Sequence, residues 1–534
     1  DVYNTAVGHG AGAAVTTGYS NTLIGGKAGV ALTDGVENVV LGYNSLGADT
    51  RGSKSVAIGK EALKVQNQTT SVSTYNVAVG FKAGVAVTTG TENTLIGGIA
   101  GDALTDADGN TAVGYSSLTT DTLGSKSTAI GRSALATQNF TTATDSYNTA
   151  VGYQAGVAVT TGTLNTLIGG TSGDALTAGQ YNVSVGTHTL SSDTLGSKTT
   201  AVGQAALFAQ NFTTATDTFN VAVGYQAGVA VTTGVRQTLI GGLAGDALTT
   251  ALDNVAVGYA ALGAETSGAR NVAIGSQALL AQNVNGGSAV YNTAVGYAAG
   301  AAVTTGIDNT LIGGLAGDVL TDADYNVALG ARALSSDTLG STSVAIGRSA
   351  LESQNFTTAT NSFNTAVGYV AGVAVTTGTQ DTLIGGLAGD AQTTSSGNTA
   401  LGYASLTTNV LGSNSVAIGR NALNAQNPAT ATDMYNVAVG NNCGEAITTA
   451  VNNTLIGGLV GDALTTGFAN VAVGGGATYA ALGSDTKGKF STAIGFGALR
   501  AQNFTTETAT NNTAVGYFAG GTVSTGLQNT YIGS

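Results

Sequence analysis

Short apolar words recur along the whole chain. Each opens on Asn, alternates through small apolar residues and closes on Gly: Asn-x-Ala-(Val/Ile)-Gly-x-x-(Ala/Ser)-(Gly/Leu), then a polar tail. In "NVAVG" the alternation puts Val77 and Val79 on one face and Ala78 on the other, which is the period of a strand. In "AGVAVTTG" Val157 and Val159 alternate around Ala158 in the same way. The pattern predicts two short strands per unit, Gly at the bends, and inward positions filled mostly by Ala and Val. No stretch combines helical periodicity with caps, so almost no helix is expected.

The spacing of the closing Gly turns these words into an architecture. Gly8, Gly25, Gly42, Gly59 and Gly80 are separated by steps of 17, 17, 17 and 21 residues, and the 72-residue block then repeats. Blocks start near residues 4, 76, 148, 220, 292, 364, 436 and 512. One irregularity interrupts them, four added residues at Gly475–Thr478. Thirty units result, and each keeps the Gly. Seventeen residues per turn fit a narrow all-β parallel β-roll, or β-solenoid, of about thirty short rungs. Residues 1–534 are expected to form one continuous shaft of roughly 140 Å at ~4.8 Å per rung.

Two residue types have a structural explanation at this stage. Gly8, Gly25, Gly42, Gly59, Gly80 and Gly152 stand where a tight corner repeats in register, a place that needs positive φ or no Cβ against the next rung. Asn4, Asn21, Asn76 and Asn148 head their units and are expected to stack as a ladder of side-chain amides. The fourth unit of a block usually carries Ser or Thr instead, as at Ser55, Ser127 and Thr199, and Gln237 and Asp381 also break the column. The four extra residues of each 21-residue step, as in "QNFTTATDSYN" (138–148), read as lateral loops. Their flanks recur and their middles vary, so residues 141–146 are expected to tolerate replacement.

Composition sharpens this picture. Gly accounts for 81 of 534 residues, charged residues for 9 %, and Pro, Cys and Met occur once each. Such low complexity can indicate disorder, yet 43 % hydrophobic residues do not suit a solvated coil. The net charge of −13 excludes the basic surface that nucleic-acid binding requires. No apolar run reaches the ~18 residues of a membrane-spanning helix. Cys443 stands alone, so no internal disulfide can form. The chain starts and stops within repeats, and a longer or processed parent is expected. Because a rung encloses little volume and is apolar on both faces, the stripe left over is expected to be buried by copies of the chain, as a homotrimer.

Candidate chemistry is sparse. His9 and His188 lie in different blocks without a Ser/Asp partner word. No pair of acids recurs in a pocket-like context, so no enzymatic activity, catalytic residue or cofactor is expected. Asp102, Asp106 and Asp108, and Asp318, Asp322 and Asp324, cluster in "GDALTDADGN" and "GDVLTDADYN" as weak Ca²⁺ candidates, against a solvated acidic loop. Their spacing matches neither an EF-hand nor a nonapeptide Ca²⁺ repeat. "AVTTG" recurs mainly every fourth rung, too sparsely for an ice-binding Thr ladder. Tyr153, Tyr225, Tyr297 and Tyr369 follow the Gly of successive blocks and are candidate glycan contacts, against a reading as corner packing over Ala.

"NTAVGYQAGVAVTTG" (148–162) and "NTLIGGLAGDALTT" resemble the repeats of bacteriophage tail-fibre and related surface-fibre proteins. "KSVAIGKEAL" (54–63) and "NSVAIGRNAL" (414–423) resemble the head repeats of trimeric autotransporter adhesins. The resemblance covers the whole chain and implies a left-handed parallel β-roll with three chains per shaft. It implies an extracellular structural role: a virion tail or surface fibre that displays a receptor-binding tip and supports host attachment. The alternative it implies is a bacterial adhesin head whose lateral surface binds host glycan or matrix. The expected partners are two further copies of the chain and a host-cell receptor or glycan.

Overall fold

Each repeat closes one turn of a parallel β-solenoid in the computed structural model, which describes residues 2–476 and 478–534. The chain divides into two compact units, Asp1–Ala269 with Asn285–Gly287, and Arg270–Val284 with Ser288–Ser534. Fifteen three-residue strands stack in parallel in the first unit, from Thr5–Val7 to Val255–Val257. Fifteen more stack in the second, from Val272–Ile274 to Thr530–Ile532. At the spacing of paired strands each stack rises roughly 70 Å. No helix occurs among the described residues. Register is strict: Thr149 pairs with Thr166, Ala150 with Leu167, and Val151 with Ile168.

Each rung has one such strand, not two. The segment "AGVAVTTG" is a run of turns. Gln154 (φ 55°) and Gly156 (φ 58°) are left-handed and coil the chain away from an extended path. Local bonds then alternate with bonds to the next rung: Val157 N–H donates to the Gln154 carbonyl, Gly156 N–H to that of Ser172, Val159 N–H to that of Gly156, and Thr160 N–H to that of Thr177. A second, two-residue strand appears only at the 21-residue steps. Gly124–Ser125 pairs with Thr144–Asp145 there, one of three such pairs in each unit among the described residues.

The interior expected from Ala and Val holds both, with Val87, Val159 and Val231 buried in the turn segment, and Leu beside them. The strand centre points inward and is buried: Ala78, Leu95, Ala112 and Ala129. Val77 and Val79 point outward and are half-buried. Core volume is shared between that centre and the left-handed corner four residues after the Gly. In the third and fourth rungs of a block, centred on Ala112 and Ala129, the corner is a buried Leu, Leu118 (φ 50°) or Leu135 (φ 48°). Where the centre is Leu95, the corners around it are Gly84 and Gly101, whose added Cβ atoms would lie 2.6 and 2.7 Å from the Leu95 methyl groups. A left-handed Leu costs about 1–2 kcal/mol of backbone energy, and its burial contributes about 1.5–3 kcal/mol in return.

Candidate functional site

A polar spine runs inside each unit beside this core. Asn148 is buried; its Oδ1 accepts from Asn165 N–H (3.0 Å), and its Nδ2 donates to the Gly162 carbonyl (2.7 Å) and to Gln138 Oε1 (2.8 Å). Asn4 Oδ1 accepts likewise from Asn21 N–H (2.8 Å), and Asn76 Oδ1 from Asn93 N–H (2.9 Å). The expected amide ladder is therefore stitched mainly from side chain to backbone, satisfying a buried donor and a buried acceptor on each rung. Gln237 keeps only the donor half: its Nε2 donates to the Ala251 carbonyl, its backbone N–H still donates to Asn220 Oδ1, and its own Oε1 is buried without a partner. Asp381 keeps only the acceptor half. Its Oδ1 accepts from Asn398 N–H (2.8 Å), and its Oδ2 is buried without a partner. Burial pushes its carboxyl up to about 7.

In most blocks the spine meets a buried carboxylate. Asp121 Oδ2 accepts from Gln138 Nε2 (2.6 Å), while its Oδ1 accepts from the N–H groups of Gly124 (3.0 Å) and Phe140 (3.1 Å). Gln138 Nε2 also donates to Ser127 Oγ (2.8 Å). The same node is built from Asp49 and Gln66, Asp193 and Gln210, Asp337 and Gln354, and Asp485 and Gln502. Burial raises the Asp193 carboxyl above the ordinary range, against the opposing pull of its bonds from Gln210, Phe212 and Gly196. Asn409 replaces the acid in one block and donates its Nδ2 to the Gly412 carbonyl. Sequence reasoning identified the recurring Gln-Asn as an anchor but missed the acid; its signal was an Asp three residues before a Gly and 17 before the Gln.

The outer surface carries two ordered columns. On the sheet, the residues flanking each buried centre are Thr or Val on one side and Val, Ile or Leu on the other, at every rung of both units. No charge interrupts them, and Val7, Ile24, Leu41 and Ile96 are exposed. Beside the sheet lies the residue after each Gly. Tyr153, Tyr225, Tyr297 and Tyr369 occupy this column and are about half exposed, so they stand outside the core. The Arg132 guanidinium lies 5.8 Å from the Tyr153 ring centre, and that of Arg348 lies 5.9 Å from the Tyr369 ring.

The acidic candidates do not converge. Asp102 accepts from the Thr119 hydroxyl, Asp106 from that of Thr89 (2.5 Å), and Asp108 from Thr91 N–H (2.6 Å). Asp322 accepts from Thr305 (2.6 Å) and Asp324 from Ile307 N–H (2.8 Å). Asp318 Oδ1 is buried without a partner, and burial raises its carboxyl. The other five acids are each occupied with a neighbouring rung, and among the described residues no three His, Cys, Asp or Glu side chains group to hold a metal. His9 is exposed, and exposed His188 shares a hydrogen bond with Thr171 Oγ1 (2.8 Å). No helix among the described residues is long and apolar enough to cross a membrane.

The chain matches no protein-family model and no curated protein.

Proposed function

We propose that the chain is the shaft of an extracellular fibre, on a virion tail or a cell surface, holding a receptor-binding tip away from its base and so supporting host attachment. The observation that carries this reading is the in-register stacking of near-identical rungs, each tied to the next by strand bonds, corner bonds and the buried Asn spine. Such stacking makes a rod whose length is set by repeat number. The role is structural, and no catalysis is assigned to it.

Self-association belongs to the same proposal. An uncharged Thr/Val and Val/Ile/Leu face repeated over fifteen rungs is larger than the apolar patches that soluble monomers usually leave open. Three copies around a common axis would bury it while keeping the loops of the 21-residue steps outward. Sedimentation at micromolar concentration, with electron microscopy of the same sample, tests both parts. Trimeric thin rods are expected; a stable folded monomer would remove the self-association, and globular particles would remove the shaft.

A second reading, an adhesin head that binds host glycan or matrix along its side, is favoured by the half-exposed Tyr153, Tyr225, Tyr297 and Tyr369, which recur at one position per block. Rings spaced by four rungs, about 19 Å, suit weak multivalent contacts better than one pocket.

A further inference from the structure

The second unit contains one place where the rhythm fails. Four residues, 475–478, are added to the rung that follows Gly474, and Ala477 among them lies outside the described residues. Aromatic rings gather beside this insertion. Tyr479 meets Phe518 edge-on with ring centres 5.2 Å apart, Phe496 stacks on Tyr517 at 5.6 Å, and Phe496 also meets Tyr479 at 5.9 Å. Arg500 enters the cluster. Its guanidinium lies 4.5 Å from the centre of Tyr479 and 5.2 Å from that of Phe518, and its Nε is buried with no hydrogen-bond partner.

Next to Arg500 is a cavity of about 270 Å³, lined also by Leu459, Asp462, Thr478, Ser484 and Ala501. The fold does not require a cation here: Ala136, Phe208 and Leu280 occupy the position of Arg500 in other blocks, and Lys64, which holds it in the first, pairs with Glu61 instead. An arginine held between two ring faces is partly stripped of water and keeps its planar fork in one orientation. A buried, unpartnered guanidinium nitrogen lacks an acceptor that would offset its desolvation.

We infer that this cavity binds a carboxylate-bearing sugar residue, with the carboxylate on Arg500. A carboxylate is the planar two-oxygen acceptor that matches a guanidinium fork. Leu459 and Ala501 supply an apolar wall for the C–H face of a sugar ring, and Thr478, Ser484 and Asp462 supply partners for its hydroxyls. The volume suits a single ring, being just below the range of pockets for drug-sized ligands. Burial, with Glu445 nearby, raises the Asp462 carboxyl. This site stands apart from the shaft reading, because a spacer and an adhesin could each carry it.

Saturation-transfer NMR on the full chain, with millimolar glucuronate and glucose as probes, tests the assignment. Glucuronate is expected to receive saturation and glucose much less. Arg500→Ala should weaken glucuronate binding about tenfold or more, with the melting temperature little changed because Ala136 already occupies that place in another rung. Arg500→Lys, which keeps the charge and loses the fork, should also weaken binding and serves if the alanine variant unfolds. No transfer to glucuronate, equal transfer to glucose, or undiminished binding in a folded Arg500 variant would each overturn the inference.

Discussion

The carbonyl oxygen of Gly169 lies where a side chain on Gly152 would begin: a Cβ added to Gly152 would stand 2.3 Å from it. Gly152 also has a φ of 145°, which a β-branched residue resists. Gly152→Val should therefore cost more than about 3 kcal/mol and lower the melting temperature. Gly170, one residue beyond that carbonyl, has nothing within 4 Å of its added Cβ. Gly170→Ala is expected to be neutral or slightly stabilising. Thermal melts of the two variants make the comparison.

Asp381 should make stability depend on pH in an unusual direction. Its carboxyl is raised from an ordinary value of 3.8 to about 7 in the fold, so the folded chain holds a proton that the unfolded chain releases. This group's contribution is fully favourable below about pH 4 and is lost as pH rises to about 7. Asp381→Asn restores an amide in the spine. The substitution should stabilise by a few kcal/mol at pH 8 and much less at pH 4, the order of magnitude set by a shift of this size. Denaturant titrations at the two pH values measure the difference; an equal effect at both would contradict the assignment.

The carboxylate nodes should respond differently to removal of charge and removal of a partner. Asp121→Asn should be mild, because Asn409 fills that place in another block and Gly412 N–H still donates to its Oδ1 (3.0 Å). Gln138→Ala strips a donor from Asp121 and an acceptor from Asn148, and should cost about 1–3 kcal/mol. Equilibrium unfolding of both variants gives the ordering.

The lateral loop is less free than its variable middle suggested. Thr141, Thr142 and Ala143 are exposed, whereas Ser146 is buried and its Oγ lies 2.5 Å from that of Ser127. Replacing 141–143 by a Gly/Ser tripeptide should leave the melting temperature within a degree or two, since surface changes of this kind rarely exceed about 0.5 kcal/mol. Ser146→Asp buries an added charge and should destabilise by several kcal/mol.

A charge on the outer sheet face separates self-association from folding. Ile168 is exposed within that face. Ile168→Glu should leave the fold of the free chain largely intact, because its side chain does not enter the core. If copies bury the face, the same change should weaken assembly strongly in sedimentation.

Much of this fold could be read from spacing. Gly152 and Asn148 recur at fixed offsets, and each has a physical reason that needs no distant partner: close approach of backbones for one, a backbone donor and acceptor for the other. The sense of the faces could not be read. A two-residue alternation separates Val77 from Ala78 without saying which of them is inside. The turns around Gln154 were hidden for a related reason, since Val157 and Val159 alternate as a strand would while left-handed φ values at Gln154 and Gly156 bend the chain. The Arg500 cavity was invisible because it depends on rings brought together from different rungs.

The exchange of Leu and Gly between neighbouring rungs limits how such a chain can grow. Leu95 occupies the space left by both Gly84 and Gly101. Deleting residues 93–109 alone would leave Gly84 beneath Ala112 with a void between them, and would cost a large cavity penalty. Removing or duplicating 72 residues puts every Leu back over its own Gly. Change of length by gene duplication therefore favours whole blocks of about 19 Å, which are gained or lost with no new packing to invent, whereas a Leu95-type turn cannot be lost alone.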